Sequence, residues 1–289
     1  MLKVNIIGIG PGNPDLLTGA ARQAIAESNI LIGDKRMLSA FAENEKMLYY
    51  TIRTSDIVEI VAKADPAKDV IAVLVSGDVG FFSLAKTISG KLPECECVRY
   101  VGISSLVYFA GRLNMSWDDA KIVSMHGRNQ NLVAAVAQNK KVFSLTGGDN
   151  SAQLLCAQLC EHGLGKVQVY VGENLSYPEE KITSGTAEEI GALQFPSLSV
   201  MMILNEEAQP FTPTVHGLAD DLFMRSKVPM TKQEVRSVSM SKLMPKPTDL
   251  IYDIGAGTGS CSIELATIAS QGKVWAFERN PVAVELLGK

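Results

Sequence analysis

The stretch Val4-Asn5-Ile6-Ile7-Gly8-Ile9-Gly10-Pro11-Gly12 indicates which fold begins at the start of the chain. Its apolar half predicts a buried β-strand, and its glycines predict a tight turn whose backbone can approach a ligand closely. The proline breaks the spacing of a dinucleotide fingerprint, and no helix begins inside the loop. A helix is predicted only afterwards, from Thr18. By itself the pattern indicates a strand-to-helix turn of an α/β domain.

Working outward from this loop, strand-like apolar runs alternate with helical stretches, which predicts parallel βαβ units covered on both faces. A second αβ set starts near Lys141, and a linker rich in proline follows Leu204. Beyond the linker the alternation restarts. The predicted organisation is a first domain at 1–205, built of lobes at about 1–138 and 139–205, then a linker at 206–214 and a second domain at 215–289.

Composition excludes several classes of protein. Hydrophobic residues make up 46% of the 289 residues and charged residues 20%, which is typical of a globular chain. The net charge of −4 argues against a general nucleic-acid binder, although a local basic pocket can still bind an acidic small molecule. We expect a cytoplasmic protein without a signal peptide or membrane span. The spacing of its five cysteines favours reduced thiols, and we expect no metal site.

Three further polar clusters follow predicted strands. Ser76–Phe81 follows the buried run Val70–Val75, Gly102–Ser105 follows the next strand, and Glu173-Asn174 follows Val167–Val171. Open α/β sheets bind ligands beyond the carboxyl ends of their strands. The clusters therefore predict a ligand site shared with the first glycine loop.

In this order, the segments Gly8–Thr18, Ser76–Phe81, Gly102–Ser105 and Glu173-Asn174 resemble the motifs of the tetrapyrrole methylase family. The resemblance covers roughly the first 205 residues, and the combination is specific although no single motif is. It implies two αβ lobes that clasp S-adenosylmethionine, usually in a homodimer. Relatives commonly carry proline where this chain has Val79. The residues that it implies for the cofactor are Ile9, Pro11, Ser76, Gly77, Asp78, Phe81, Ser104, Ser105, Leu145 and Leu175.

A second glycine loop, Asp253-Ile254-Gly255-Ala256-Gly257-Thr258-Gly259, lies between two predicted strands. A flexible loop is the simplest interpretation of such glycines. With Asp253 before them and Glu278 ending the next strand, however, the segment resembles the cofactor loop of Rossmann-like methyltransferases. The resemblance implies that Asp253, Gly255, Gly257 and Gly259 approach S-adenosylmethionine and that Glu278 binds its ribose. Thr231 would cap a helix over Thr231–Leu243 and touch the cofactor.

The segment Gly217–Lys232 resembles the entry to the decarboxylating methylases of cobalamin synthesis. The fused order of domains resembles the precorrin-6Y C5,15-methyltransferases (decarboxylating), which implies methylation of carbon 5 of a corrin precursor by the first domain. Only two strands are predicted after residue 249, so we expect the Rossmann-like domain to be incomplete and carbon 15 to stay unmethylated. Two alternatives remain open: a methyltransferase like diphthine synthase, and a non-catalytic interaction protein that binds S-adenosylmethionine.

Methyl transfer from a sulfonium needs positioning more than a strong base, because the donor is already activated. His126 is a weak candidate for a catalytic base, and substrate anchoring or support of a turn suits it better. A corrin precursor carries many carboxylates, which arginine binds in bidentate fashion. The candidate substrate residues are Lys35, Arg36, Arg112 and Arg128, although each of them taken singly is more often only a solvated surface charge.

Overall fold

Five parallel strands form the sheet of the first lobe in the computed structural model, which describes residues 1–41, 46–126, 130–196, 198–210, 216–225 and 227–288. Their order across the sheet is β3-β2-β4-β1-β5. The strands are β1 (Lys3–Gly8), β2 (Ile30–Gly33), β3 (Met47–Tyr50), β4 (Val70–Val75) and β5 (Glu96–Tyr100). The helices are α1 (Gly19–Glu27), α2 (Lys35–Leu38), α3 (Thr54–Lys63), α4 (Ala85–Lys91) and α5 (Ser105–Arg112).

The central strands of this sheet are apolar on both sides, as expected for a parallel sheet with both faces covered. Val4 and Ile6 of β1 belong to one buried cluster, whereas Ile7 belongs to another that includes residues of α1. The edge strand β3 was not predicted. Its residues are mostly exposed and do not alternate, so it lacks the pattern of a half-buried strand.

The second lobe contains a mixed five-stranded sheet in the order β6-β7-β10-β8-β9. Only β6 and β7 run parallel, whereas β10 is antiparallel to both β7 and β8, and β8 is antiparallel to β9. The strands are β6 (Lys121–Ser124), β7 (Lys141–Leu145), β8 (Gln168–Glu173), β9 (Lys181–Thr186) and β10 (Val200–Leu204). The helices are α6 (Leu132–Gln138), α7 (Ala152–Glu161) and α8 (Ala187–Gly191).

The second sheet begins before the predicted boundary near residue 138. Val123 of β6 pairs with Ser144 of β7, and Val123 packs in the same buried cluster as Val136 and Val142. A lobe boundary at 138 would therefore divide one sheet and its core. The strand β9 was also missed, because its sequence KITSGT carries a single large apolar residue.

Beyond these lobes, which together form the compact unit Met1–Pro210, the chain forms a second unit, Phe211–Lys289. The described part of the second unit contains a parallel pair of strands and three helices. The elements are α9 (Gln233–Leu243), β11 (Leu250–Ile254), α10 (Ser260–Ile268), β12 (Lys273–Phe277) and α11 (Pro281–Leu287). The α/β class predicted for the chain is confirmed. Over the described residues, no helix has the length and apolarity needed to cross a bilayer.

Candidate functional site

Three loops meet at the carboxyl ends of β1, β4 and β5. The backbone N–H of Gly10 donates to the carbonyl of Gly77 over 3.1 Å, and Gly77 returns a 2.9 Å bond to Gly10. A Cβ atom at Gly102 would lie 2.3 Å from the Gly77 oxygen and 2.5 Å from the Gly8 oxygen. The three backbones are therefore in direct contact, and glycine is required where they cross.

Asp78 fastens two of these loops together. Its Oδ1 accepts from the N–H of Gly80 over 2.8 Å, and its Oδ2 accepts from the N–H of Gly102 over 3.1 Å. Asp78 does not line the cleft described below. Its carboxylate thus joins the loops that follow β4 and β5. Val79, where proline was expected by resemblance, is buried in the core of the first lobe.

A cleft of about 650 Å³ opens beside these loops within the first unit. Both lobes contribute to it, and its polar groups are hydroxyls, amides, a carboxylate, a guanidinium and an imidazole. The sequence-predicted residues that line it are Pro11, Arg36, Ser76, Gly77, Phe81, Ser105, His126, Leu145 and Leu175. Their convergence from separate predicted motifs makes this cleft the candidate cofactor and substrate site.

Like Asp78, two further predicted cofactor residues lie outside the cleft lining. Ile9 is buried with Leu17 and Ala21 beneath the first loop. Ser104 caps α5, because its Oγ accepts from the N–H of Val107 over 3.2 Å. Neither residue lines the cleft. Both residues lie within the quoted motifs. The sequence does not tell which motif residues stabilise a loop and which face the cleft, whereas the folded structure does.

The basic residues predicted to bind substrate do not all lie at the cleft. Arg36 lines the cleft, whereas its exposed neighbour Lys35 does not. Arg112 donates from Nε to Oε1 of Glu180 over 2.6 Å and also lies outside the cleft lining. Arg128 lies outside the described residues. Of the predicted substrate cations that the structure describes, the geometry places Arg36 alone at the cleft.

His126 is exposed at the end of β6, and its ring lies against the backbone of Gly147. A Cβ atom at Gly147 would come within 2.0 Å of its Nδ1. Asn150 supports the same turn by donating from Nδ2 to the carbonyl of Met125 over 3.0 Å. This placement suits a side chain that anchors a substrate at the cleft.

Other cleft residues were not named individually as cofactor or substrate residues from the sequence. They come from loops and strand ends of both lobes, and the added polar and apolar groups include Asp34, Thr51, Thr146, Asn174, Tyr177 and Val200. Asn174 was part of a quoted motif, but Tyr177 had no separate signal. Its ring lies over Gly12, where a Cβ atom would approach its Cζ to 2.1 Å. This contact joins the two lobes and depends on their packing.

In the second unit, the glycine loop between β11 and α10 has the backbone that its sequence requires. Gly255, Gly257 and Gly259 have φ values of 84°, 58° and 77°. Residues that carry a Cβ atom rarely adopt this region of backbone conformation. The carbonyl of Pro229 lies 3.5 Å from the position of a Cβ atom at Gly257. The segment before α9 therefore approaches the glycine loop closely.

Glu278 also contacts this loop. Its Oε2 accepts from the N–H of Gly257 over 2.9 Å, and its Oε1 accepts from the N–H groups of Arg279 and Asn280. Asp253 accepts from the Ser262 hydroxyl over 2.5 Å, so it braces the start of α10. These bonds place the Glu278 carboxylate beside the glycines of this loop.

The predicted cap at Thr231 is wrong. The helix α9 begins at Gln233, and the residue before it, Lys232, makes no side-chain capping bond. The Thr231 carbonyl instead accepts a hydrogen bond from the buried side chain of Arg236. Neither Arg236 nor its partner Glu264 was singled out from the sequence, because charged side chains in a helix usually indicate a solvated face.

No three His, Cys, Asp or Glu side chains among the described residues are arranged to hold a metal ion. Burial raises the pKa of the Cys156 thiol to about 12, so this cysteine stays protonated at neutral pH. Its environment is that of a core side chain rather than of a reactive thiol.

Comparison with known proteins follows the division into two units. Residues 3–191 match the model of the tetrapyrrole (corrin/porphyrin) methylases, and residues 221–289 match that of a precorrin methyltransferase domain. A precorrin-6Y C(5,15)-methyltransferase (decarboxylating) from Sinorhizobium is 30% identical over 267 residues, which cover 90% of this chain. The chain spans 64% of the length of that relative.

A shorter relative is covered almost completely. The probable cobalt-precorrin-7 C(5)-methyltransferase of Methanocaldococcus jannaschii is 30% identical over 213 residues, which are 71% of this chain and 99% of the relative. Among solved structures, uroporphyrin-III C-methyl transferase from Thermus thermophilus complexed with S-adenyl homocysteine has a TM-score of 0.57 at 19% identity. The match covers 70% of this chain and 91% of that one, and it shows a shared fold. By its matched motifs, its two-lobed fold and these relatives, the chain belongs to the tetrapyrrole methylase family.

Proposed function

We propose that this chain transfers a methyl group from S-adenosylmethionine to carbon 5 of a precorrin-type macrocycle in cobalamin biosynthesis, and that its first unit carries this activity. The observation that carries the proposal is the convergence of Gly10, Gly77 and Gly102 beside a two-lobed cleft. The relative from Methanocaldococcus, which is named for carbon 5 methylation, supports the choice of reaction.

The second unit favours a corrin substrate over the protein substrate of the diphthine synthase alternative. Both alternatives use the same two-lobed fold, so the cleft alone does not separate them. A precorrin methyltransferase domain follows the cleft-bearing unit on the same polypeptide. We propose that its glycine loop binds S-adenosylmethionine as well, with Glu278 facing the ribose hydroxyls.

The residues of the cleft suit S-adenosylmethionine. At the loop crossing a side chain on Gly102 would clash with the backbones of Gly77 and Gly8, so glycine lets the three loops pack together beside the cleft. Ser76 and Ser105 offer hydroxyl groups, and Phe81, Leu145 and Leu175 offer an apolar wall for an adenine ring. The bound cofactor would supply a methyl group that its sulfonium already activates.

The protein's part in such a reaction is to position the cofactor and the macrocycle and to remove water from between them. The apolar wall excludes water from the transfer path, and Arg36 offers a guanidinium to the carboxylates of the macrocycle. His126, at the rim of the cleft, offers a second anchor. Holding the two reactants in near-attack geometry can lower a barrier by about 7–11 kcal/mol, so no strong base is required.

The test is single-turnover transfer from S-adenosylmethionine labelled in its methyl group. We expect the label in the corrin precursor, and fragmentation with mass spectrometry should locate it at carbon 5. Label found in a protein acceptor but not in the macrocycle would favour the diphthine synthase alternative. Cofactor binding without transfer to either acceptor would favour the non-catalytic alternative. Either result would overturn the proposal.

A further inference from the structure

The segment from Asn174 to Glu180 connects β8 to β9 and has an unusual backbone. Asn174 has a φ of 47° and Ser176 a φ of 70°, although neither is glycine. Residues other than glycine that are held in this left-handed region are strained, and they persist only where surrounding contacts hold them. Asn174, Leu175 and Tyr177 of this segment line the cleft. Strain is thus stored in a loop that shapes the candidate site.

Glu180 supplies the contacts that hold the segment. Its Oε2 accepts from the N–H of Ser176 and from the Tyr108 hydroxyl, each over 2.7 Å, and its Oε1 accepts from Arg112 Nε over 2.6 Å. Burial alone would raise the pKa of Glu180, but these hydrogen bonds outweigh it and lower the pKa. The group is therefore a carboxylate at neutral pH, and it fastens the strained residue Ser176 to helix α5.

The same segment reaches across the cleft to the first glycine loop. The Ser176 hydroxyl accepts from the N–H of Asn13 over 2.9 Å, and the ring of Tyr177 covers Gly12. The Arg36 guanidinium lies 5.1 Å from the centre of that ring, within the range of a cation–π interaction. The segment 174–180 therefore contacts both the first glycine loop, which we propose lies beside the cofactor, and Arg36, which we propose binds the substrate.

We propose that Glu180 is a positioning residue, which holds Ser176 and, through it, Asn174 in their left-handed conformations and so aligns Leu175 with the cofactor and Tyr177 with Arg36. It touches no reacting atom. The inference rests on the proposed function for its link to methyl transfer, whereas the loop conformation itself is independent of any ligand.

The test compares Glu180→Gln with Glu179→Gln in the full 289-residue chain. Glu179 is the exposed neighbour in the same loop, so its variant is matched in chemistry and in position. Two readouts are measured: hydrogen exchange of the Ser176 amide without ligand, and calorimetric titration with S-adenosylhomocysteine. In Glu180→Gln we expect the amide to lose protection and the Kd to rise about tenfold, which corresponds to about 1.4 kcal/mol. Thermal unfolding should stay close to that of Glu179→Gln, which separates positioning from a general loss of stability.

Unchanged exchange and an unchanged Kd in Glu180→Gln would overturn the inference. If the unsubstituted chain does not bind S-adenosylhomocysteine, the proposed function fails, and the exchange of Ser176 alone decides whether Glu180 holds the loop. If Glu180→Gln does not fold, Tyr108→Phe removes one of the three bonds to the carboxylate and is measured in its place. Its Kd should rise in the same direction by a smaller factor, and no rise would count against the inference.

Discussion

Arg236 donates from Nε to Oε1 of Glu264 over 2.7 Å, and both side chains are fully buried in the second unit. Glu264 also accepts from the backbone N–H groups of Gly217 and Leu218, over 2.7 and 3.1 Å. Arg236 bonds the carbonyls of Leu218 and Thr231. The pair therefore fastens the segment before α9 to both α9 and α10, and that segment approaches the glycine loop.

Breaking this pair should destabilise the second unit. In Arg236→Met the Glu264 carboxylate stays buried without its partner, and such a loss costs about 3–5 kcal/mol. Urea unfolding followed by Trp275 fluorescence, in a Trp117→Phe background, measures the effect. Lys242→Met, an exposed substitution on the same helix, is the control and should change little. Equal stability of the two variants would mean that the pair contributes nothing to this unit.

Gly102→Ala should disrupt the crossing of the three loops. The new methyl group would lie 2.3 Å from the Gly77 oxygen and 2.5 Å from the Gly8 oxygen, and backbone atoms cannot move aside as flexible side chains can. We expect the free energy of unfolding to fall by about 1–3 kcal/mol or more, together with a loss of cofactor affinity.

Gly90→Ala is the matched control, because that glycine lies in α4 with open space around it. There alanine should raise helix stability slightly, by about 0.5–1 kcal/mol. Thermal unfolding of the two variants gives the comparison, and similar losses would refute the steric argument.

Asp78→Ala should weaken S-adenosylmethionine binding by about 1.5–3 kcal/mol in a chain that remains folded. The reason is loop order, because the carboxylate joins Gly80 to Gly102 and does not face the cleft. Calorimetric titration measures the affinity, and Asp118→Ala, an exposed substitution in the same unit, serves as control. Unchanged affinity in folded Asp78→Ala would show that the cleft does not depend on this link.

Acid should weaken the second unit through Glu278. Backbone hydrogen bonds from Asn280, Gly257 and Arg279 lower its pKa below the ordinary value of 4.5. A carboxyl group with a lowered folded-state pKa stabilises the fold fully above its unfolded-state value, and that contribution is lost as the pH falls through the folded-state pKa. The stability difference between the unsubstituted chain and Glu278→Gln should therefore be constant above about pH 4.5 and shrink below it. Urea titrations at a series of pH values would measure this, and a difference independent of pH would contradict it.

The glycine motifs were predictable because their chemistry is local. A glycine run after an apolar strand limits the backbone to a tight turn, and Gly255, Gly257 and Gly259 indeed have positive φ values. Three strands have the bounds that their sequences predicted, because each is a short apolar run or is flanked by turn residues. They are Val70–Val75, Val200–Leu204 and Leu250–Ile254. The polar strand β9 and the exposed edge strand β3 carry no such pattern. They are strands because their backbones pair with β8 and β2, and not because their side chains are buried.

The α/β class, the order of the motifs and the edge of the sheet at which they meet could be predicted from short segments, because strand periodicity and the backbone freedom of glycine are local properties. Which motif residues face the cleft depends on tertiary packing: Ser105 lines it, whereas Ser104 caps a helix and Asp78 joins two loops. Tertiary packing also decided that Arg112 pairs with Glu180 and that Tyr177 covers Gly12. These contacts join residues more than 60 positions apart, and their geometry follows from the packing of the two lobes rather than from any local pattern.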